Sequence, residues 1–187
     1  MTTIIHPLTS ERWKDFEAVL GTHGGPGGCW CMHTRSTHKD YEASKGEKNR
    51  RKMLARVKSD LPAPGLLAYV DGRPAGWIAV APRAEYIRLE TSRVLKPVDD
   101  QPVWSVVCFM IHKDFRKQGL SATLLNAAAK FAKKNGAKIL EGYPILPVKD
   151  DVPAVFAWTG FASTFEQCGF EVAAQRSETR PVMRRNL

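Results

Sequence analysis

The stretch that most constrains the fold is 103–136, "VWSVVCFMIHKDFRKQGLSATLLNAAAKFAKKNG". It opens with "VWSVVCFMI", β-branched and aromatic with hardly a polar break, which is the composition of a strand buried on both faces. Leu120, Leu124, Leu125, Ala128, Phe131 and Ala132 then recur at helical spacing along one face, and Asn135-Gly136 supplies the stop. A buried strand feeding an amphipathic helix calls for a sheet covered on both sides, so the chain belongs to the α/β class, in the α+β sense.

The remaining segments fit around that unit. "IIH" is a short first strand, and "LTSERWKDFEAVL" reads as a helix with Thr9 or Ser10 as N-cap and Trp13, Phe16, Val19 and Leu20 inward. "DYEASKGEKNRRKMLARVKSD" reads as one highly charged helix ending at "LPAPG". "LLAYV" and "AGWIAVA" form a hairpin across Asp71-Gly72. The segment 82–102 has no long period and is expected to be a lid or binding loop. "AKILEGY" is a strand, "FASTFEQC" a short helix, and "FEVAAQ" and "TRPVMRR" a closing strand pair. The 187 residues are expected to make one domain, 1–187, with a mixed sheet in one layer and helices on both faces.

Charge and composition narrow the partners. The formal charge is +9, from 28 basic against 19 acidic residues, which attracts polyanions and phosphorylated small molecules alike. The basic residues are spread along the chain and match no nucleic-acid motif, which argues against that partner. No apolar run is long enough to span a bilayer, and "MTTIIHPLTSERW" lacks the character of a secretory signal. A cytoplasmic protein with reduced thiols is therefore expected. Oligomeric state, monomer or homodimer, stays open.

Most of the chemistry lies at the strand–helix junction, "HKDFRKQGLSATLL". Gly119 stands at the sharp turn, Arg116 and Lys117 precede it, and Ser121 lies in the first helical turn. A helix N-terminus offers unpaired N–H groups and the positive end of its dipole, so the junction suits a pyrophosphate. An ordinary strand–helix turn with solvated basic residues satisfies the same spacing. "RKQGLS" with the following "ATLLNAAAKFAKKNGAK" resembles the acetyl-CoA motif of the GNAT superfamily of N-acetyltransferases, Arg/Gln-x-x-Gly-x-Gly/Ala, with Arg116, Gly119 and Ser121 at its fixed positions. "FEQCGF" resembles that family's short helix leading into a Gly-Phe strand, and the element order fits over nearly the whole chain.

The resemblance implies a mostly antiparallel central sheet with a splayed strand pair, and acetyl-CoA as cosubstrate. Phe109, Met110 and Ile111 would pair through their backbone with the pantetheine arm. The pyrophosphate would sit on the N–H groups of Lys117, Gln118, Gly119, Leu120 and Ser121, with Arg116 nearby. It implies an N-acetyltransferase acting by direct transfer in a ternary complex on a primary amine, in a small molecule or a peptide. Phe165 stands where many relatives carry a tyrosine acid, and Ser105 where some carry a glutamate base, though a serine there is able to order a water. Those departures motivate the alternative of a catalytically silent acyl-CoA sensor.

Acetyl transfer needs a neutral amine, hence a proton acceptor. Glu141 is a charge in an otherwise apolar strand, and alternation puts Tyr143 on the same face. Glu141 as base and Tyr143 as acid is the first assignment; a strand-end glutamate with a packing tyrosine is the bland one. Glu85, Glu90, Asp99 and Asp100 are candidates for a cationic acceptor, Arg88 and Arg93 for a carboxylate, and His112 belongs to a solvated turn. "GTHGGPGGCWCMHTR" looks at first like a metal site or a redox pair, but Cys29-x-Cys31 is too tight for the common zinc knuckle and lacks a second pair, so no metal is expected, while a vicinal redox pair stays open. In the family frame Trp30 and Met32 would be an apolar wall of the acceptor side; alternatively Trp30 and the cysteines plug the core.

Overall fold

The computed structural model describes residues 2–147 and 157–187. Seven strands form one sheet in the order β1-β2-β3-β4-β5-β7-β6. These are β1 (Thr3–Pro7), β2 (Gly65–Val70), β3 (Arg73–Pro82), β4 (Trp104–Ile111), β5 (Ile139–Gly142), β6 (Glu171–Gln175) and β7 (Pro181–Asn186). All neighbours are antiparallel except β4 and β5. The β2–β3 hairpin turns at Asp71 and Gly72, whose φ of 47° and 78° are the left-handed pair that tight hairpins need.

One face of the sheet carries α5 (Leu120–Lys134) and α6 (Ala162–Gln167), packed through Leu124, Leu125, Ala128 and Phe165 onto Ile78, Val106, Phe109 and Leu140. The other carries α1 (Trp13–Leu20) and the 30–32 stretch, whose aromatic and sulfur side chains pack on Leu67, Trp77, Ala79 and Val107. Trp13, Phe16, Val19 and Leu20 are the buried face of α1, as their spacing predicts. The charged helix is two helices, α2 (His38–Ser44) and α3 (Glu47–Val57), because the chain breaks at Gly46, φ 77°. The segment 82–102 is no free loop: α4 (Ile87–Thr91) lies in it, and Tyr86 and Leu89 anchor it in the core. Among the described residues no helix is long and apolar enough to cross a membrane.

Two features of β4 shape the site. Ala79 pairs with Cys108 and Val80 with Val106, so Val107 is an extra residue, a β-bulge. Pairing with β5 then stops at Val106–Gly142 while β4 runs on to Ile111. The two parallel strands splay and leave the edge of β4 beyond the bulge open to other partners.

Candidate active site

A groove of about 1290 Å³ opens at the splay. Phe109, Met110 and Ile111 line it from β4; Arg116, Lys117, Gly119, Leu120 and Ser121 line it from the turn into α5. Two left-handed residues, Lys117 (φ 60°) and Gly119 (φ 75°), bring the chain into the helix, and no side chain caps its N-terminus. Alternation of this kind turns successive N–H groups to one side and makes an anion cradle. Gln118 is the exception among the residues expected here: its amide folds back on the Asp114 carbonyl at 3.1 Å and does not line the groove. Arg116 bonds the Ile111 carbonyl at 3.1 Å, which ties the turn to the end of β4. The Phe109 N–H donates to the Trp158 carbonyl at 2.6 Å, so a main-chain donor expected to meet a pantetheine arm is engaged within the protein.

A smaller cavity of about 180 Å³ adjoins the groove and shares Leu20, Gly25, Pro26, Met110 and Trp158 with it. Cys29, Cys31 and Cys108 line this cavity, with His33 and Tyr41. Trp30 and Cys31 have φ of 46° and 60°, a conformation that strains residues with a Cβ and turns the thiol of Cys31 inward. The Trp77 indole N–H lies 3.1 Å from Cys31 Sγ. A hydrogen bond from the Cys108 thiol pulls Cys31 below the ordinary thiol range against the effect of burial, with Trp77 and Arg35 assisting. Cys108 is pushed well up by the same thiol–thiol bond and by burial. Burial, chiefly, and then Arg88 hold His33 below 6.5. Arg88 Nη1 lies 2.8 Å from His33 Nε2 and can only donate, so the neutral ring carries its proton on Nδ1, which is buried with no partner among the described residues.

The residues expected to do proton work lie elsewhere. Glu141, Tyr143 and Ser105 do come together, as alternation and the Ser105–Glu141 pairing of β4 and β5 require. The Tyr143 hydroxyl donates to Glu141 Oε1 at 2.6 Å and is 2.8 Å from Ser105 Oγ. Arg83 clamps Oε1 at 2.8 Å and Arg184 clamps Oε2 at 2.7 Å. All three are fully or almost fully buried, and none lines the groove or the cavity. Both carboxylate oxygens are engaged by arginines, and neither faces the groove or the cavity. Burial and then Glu141 push the Tyr143 phenol well above its ordinary value, so it is a poor acid. The three residues expected to do proton work thus form a buried hydrogen-bonded network apart from the groove and the cavity.

The acceptor-side residues move too. Trp30 is core, stacked on Trp13 at 6.2 Å and seated on Gly24, where an added Cβ would lie 2.1 Å from the ring. Met32 is buried in the same cluster. Glu85 pairs with Arg35 and, at 2.7 Å, with Arg56; burial raises its carboxyl, but the two guanidiniums outweigh that and hold it below the ordinary range. None of the three lines the groove or the cavity. Glu90 is tied to Arg83 and Asp99 to Arg184. Sequence reasoning missed Cys108, His33, Tyr41 and Trp158; the count of thiols was visible, but the bulge that joins Cys108 to the other two was not. Among the described residues no cluster of three or more His, Cys, Asp and Glu side chains is arranged to hold a metal ion.

The splayed β4 and β5, the bulge and the uncapped α5 N-terminus are joined by a match to a family model. The Acetyltransferase (GNAT) family model matches residues 30–143. The chain belongs to the GNAT acetyltransferase family. No curated protein sequence matches it. Among solved structures, PaiA N-acetyltransferase from Thermoplasma acidophilum in complex with coenzyme A is 18% identical, with 100% of each chain covered and a TM-score of 0.56. A mosquito arylalkylamine N-acetyltransferase-like protein (like 5b) is 13% identical over 100% of each chain, with a TM-score of 0.62. An agmatine N-acetyltransferase is 11% identical over 99% of each, with a TM-score of 0.59. At those identities the likeness is one of fold.

Proposed function

We propose that this GNAT protein is an acetyl-CoA-dependent N-acetyltransferase that passes the acetyl group to a primary amine of a small molecule or peptide by direct transfer in a ternary complex. The observation that carries this is continuity: the groove runs from the α5 N-terminus along the end of β4 to the small cavity. Acetyl-CoA would lie with its pyrophosphate at Lys117–Ser121 and its thioester near Met110, where groove and cavity meet. The amine would enter through the cavity. No carboxylate among the described residues lines that cavity, so no side-chain carboxylate there pairs with an ammonium. Burial alone then favours the free base, the form that attacks a thioester.

The test is a thiol-release assay over an amine panel that includes agmatine and arylalkylamines, with a thermal shift in acetyl-CoA. Stabilisation and turnover on at least one amine are expected; no shift at saturating acetyl-CoA defeats the proposal. A second role, as a catalytically silent acyl-CoA sensor, is favoured by the burial of Phe165, which rests on Gly142 within the core, and by the closure of Glu141. Tight CoA binding without turnover on any amine would select it.

A further inference from the structure

The geometry points to Cys31 as an acyl-accepting nucleophile: when no amine fills the cavity, its sulfur takes the acetyl group of acetyl-CoA and holds it as a thioester. This rests on the acetyl-CoA function proposed above and gives the same acetyl group a second destination. Three thiols converge on a cavity that opens from the groove at Met110 and Trp158, the place assigned to the thioester. Cys31 is held there in a strained left-handed backbone that its packing over-determines, with the Trp77 N–H on its sulfur. Cys108 lines the same cavity, and Arg35 adds positive charge nearby.

Those neighbours favour the thiolate, which is the nucleophilic form. Among the described residues lining the cavity, the Cys108 thiol is pushed well up by Cys31 and by burial. The Nε2 lone pair of His33 is occupied by Arg88, and Cys29 is pushed up by burial and by Cys31. The step balances without a further reactant. The Cys31 thiolate forms a bond to the acetyl carbon, the carbon–sulfur bond to CoA breaks, and CoA leaves as a thiolate. One thioester and one thiolate stand on each side, so the exchange runs in both directions.

The full-length protein is incubated with acetyl-CoA and no amine, then examined by intact mass, peptide mapping and exchange of label between free CoA and acetyl-CoA. The expected result is a gain of one acetyl group, removed by neutral hydroxylamine and mapped to Cys31, together with label exchange. Cys31→Ser loses both, and Cys168→Ser, a thiol on the opposite face of the sheet, keeps both. Cys108→Ala shifts the pH profile of adduct formation to higher pH, whereas a pure packing role would lower the rate equally at every pH. If Cys31→Ser fails to fold, the mapping of the wild-type adduct decides alone. An acetyl group on Cys29, Cys108 or a lysine, or no adduct despite a thermal shift with acetyl-CoA, overturns the inference and leaves the amine transferase standing. Absence of the shift itself removes both.

Discussion

Two buried clusters of ionisable side chains share one face of the sheet and differ in how fully their atoms are paired. Around Glu141 every oxygen is answered: Arg83 and Arg184 take the carboxylate, and Tyr143 and Ser105 complete the chain of bonds. Around Cys31 the count does not close. His33 Nδ1 and Arg35 Nε are buried without partners among the described residues, and two neighbouring residues carry strained backbone. Saturated networks hold a fold together, while unsaturated strained ones next to an opening are where a ligand completes the structure. The tempting catalytic residue, a lone glutamate in an apolar strand, belongs to the first kind. The cysteines that resembled a failed zinc knuckle belong to the second.

The comparison breaks most readily at Glu141. Glu141→Ala leaves the buried Arg83 guanidinium beside a hole, with the part-buried Arg184 next to it, and removing one partner of a buried ion pair is strongly destabilising, about 3–5 kcal/mol. Urea unfolding is expected to show that loss, with turnover per folded molecule little changed. A variant with native stability and no turnover would return Glu141 to catalysis.

Trp30→Ala should be comparably damaging, again about 3–5 kcal/mol, since it empties a core position between Trp13, Phe16 and Gly24. Its signature is a lower midpoint in urea without a selective rise in the acceptor KM. Gly24→Ala probes the same contact from below, where the new Cβ has no room. A selective KM effect in either variant would put Trp30 back on the acceptor wall.

A smaller change is expected at the turn into α5. A methyl group added at Gly119 would stand in open space, so Gly119→Ala meets no neighbour, and its penalty is the left-handed backbone alone, about 1 kcal/mol. Because that backbone aims the N–H groups of the cradle, CoA should bind about tenfold more weakly, equivalent to about 1.4 kcal/mol. Calorimetry with CoA measures the ratio directly, and unchanged affinity would move the pyrophosphate away from this turn.

What could be read from the sequence was local. The strand, the glycine turn and the amphipathic helix of 103–136 declare themselves through spacing and turn residues, and the Asp71-Gly72 hairpin does the same. The pairing of Glu141 with Tyr143 on one face also followed from alternation. What closed that pair off did not: Arg83 and Arg184 lie 58 and 43 residues away in sequence, and only the fold brings them in. The thiol cavity was hidden for two physical reasons. The bulge at Val107 breaks the alternation that would have placed Cys108, and no propensity rule assigns left-handed backbone to Trp30 and Cys31.

The faintest expected effect concerns His33, and the direction of its pH dependence follows from its burial. Its folded value lies below 6.5, so between the two values the unfolded chain binds a proton that the folded chain refuses. Stability from this group is therefore complete above about 6.5 and is lost as pH falls towards the folded value. Between pH 7 and 5.5 the Tm should drop by roughly 1–2 °C more in the wild type than in His33→Gln, whose side chain keeps polar atoms near Arg88 without titrating. Amine transfer tested in parallel separates two roles for the ring. If it only packs between Tyr41 and Trp158, the glutamine variant keeps its KM. If the free Nδ1–H meets the acceptor in the cavity, KM rises while the affinity for CoA holds, and the unsaturated cluster is marked as the place where the acceptor sits.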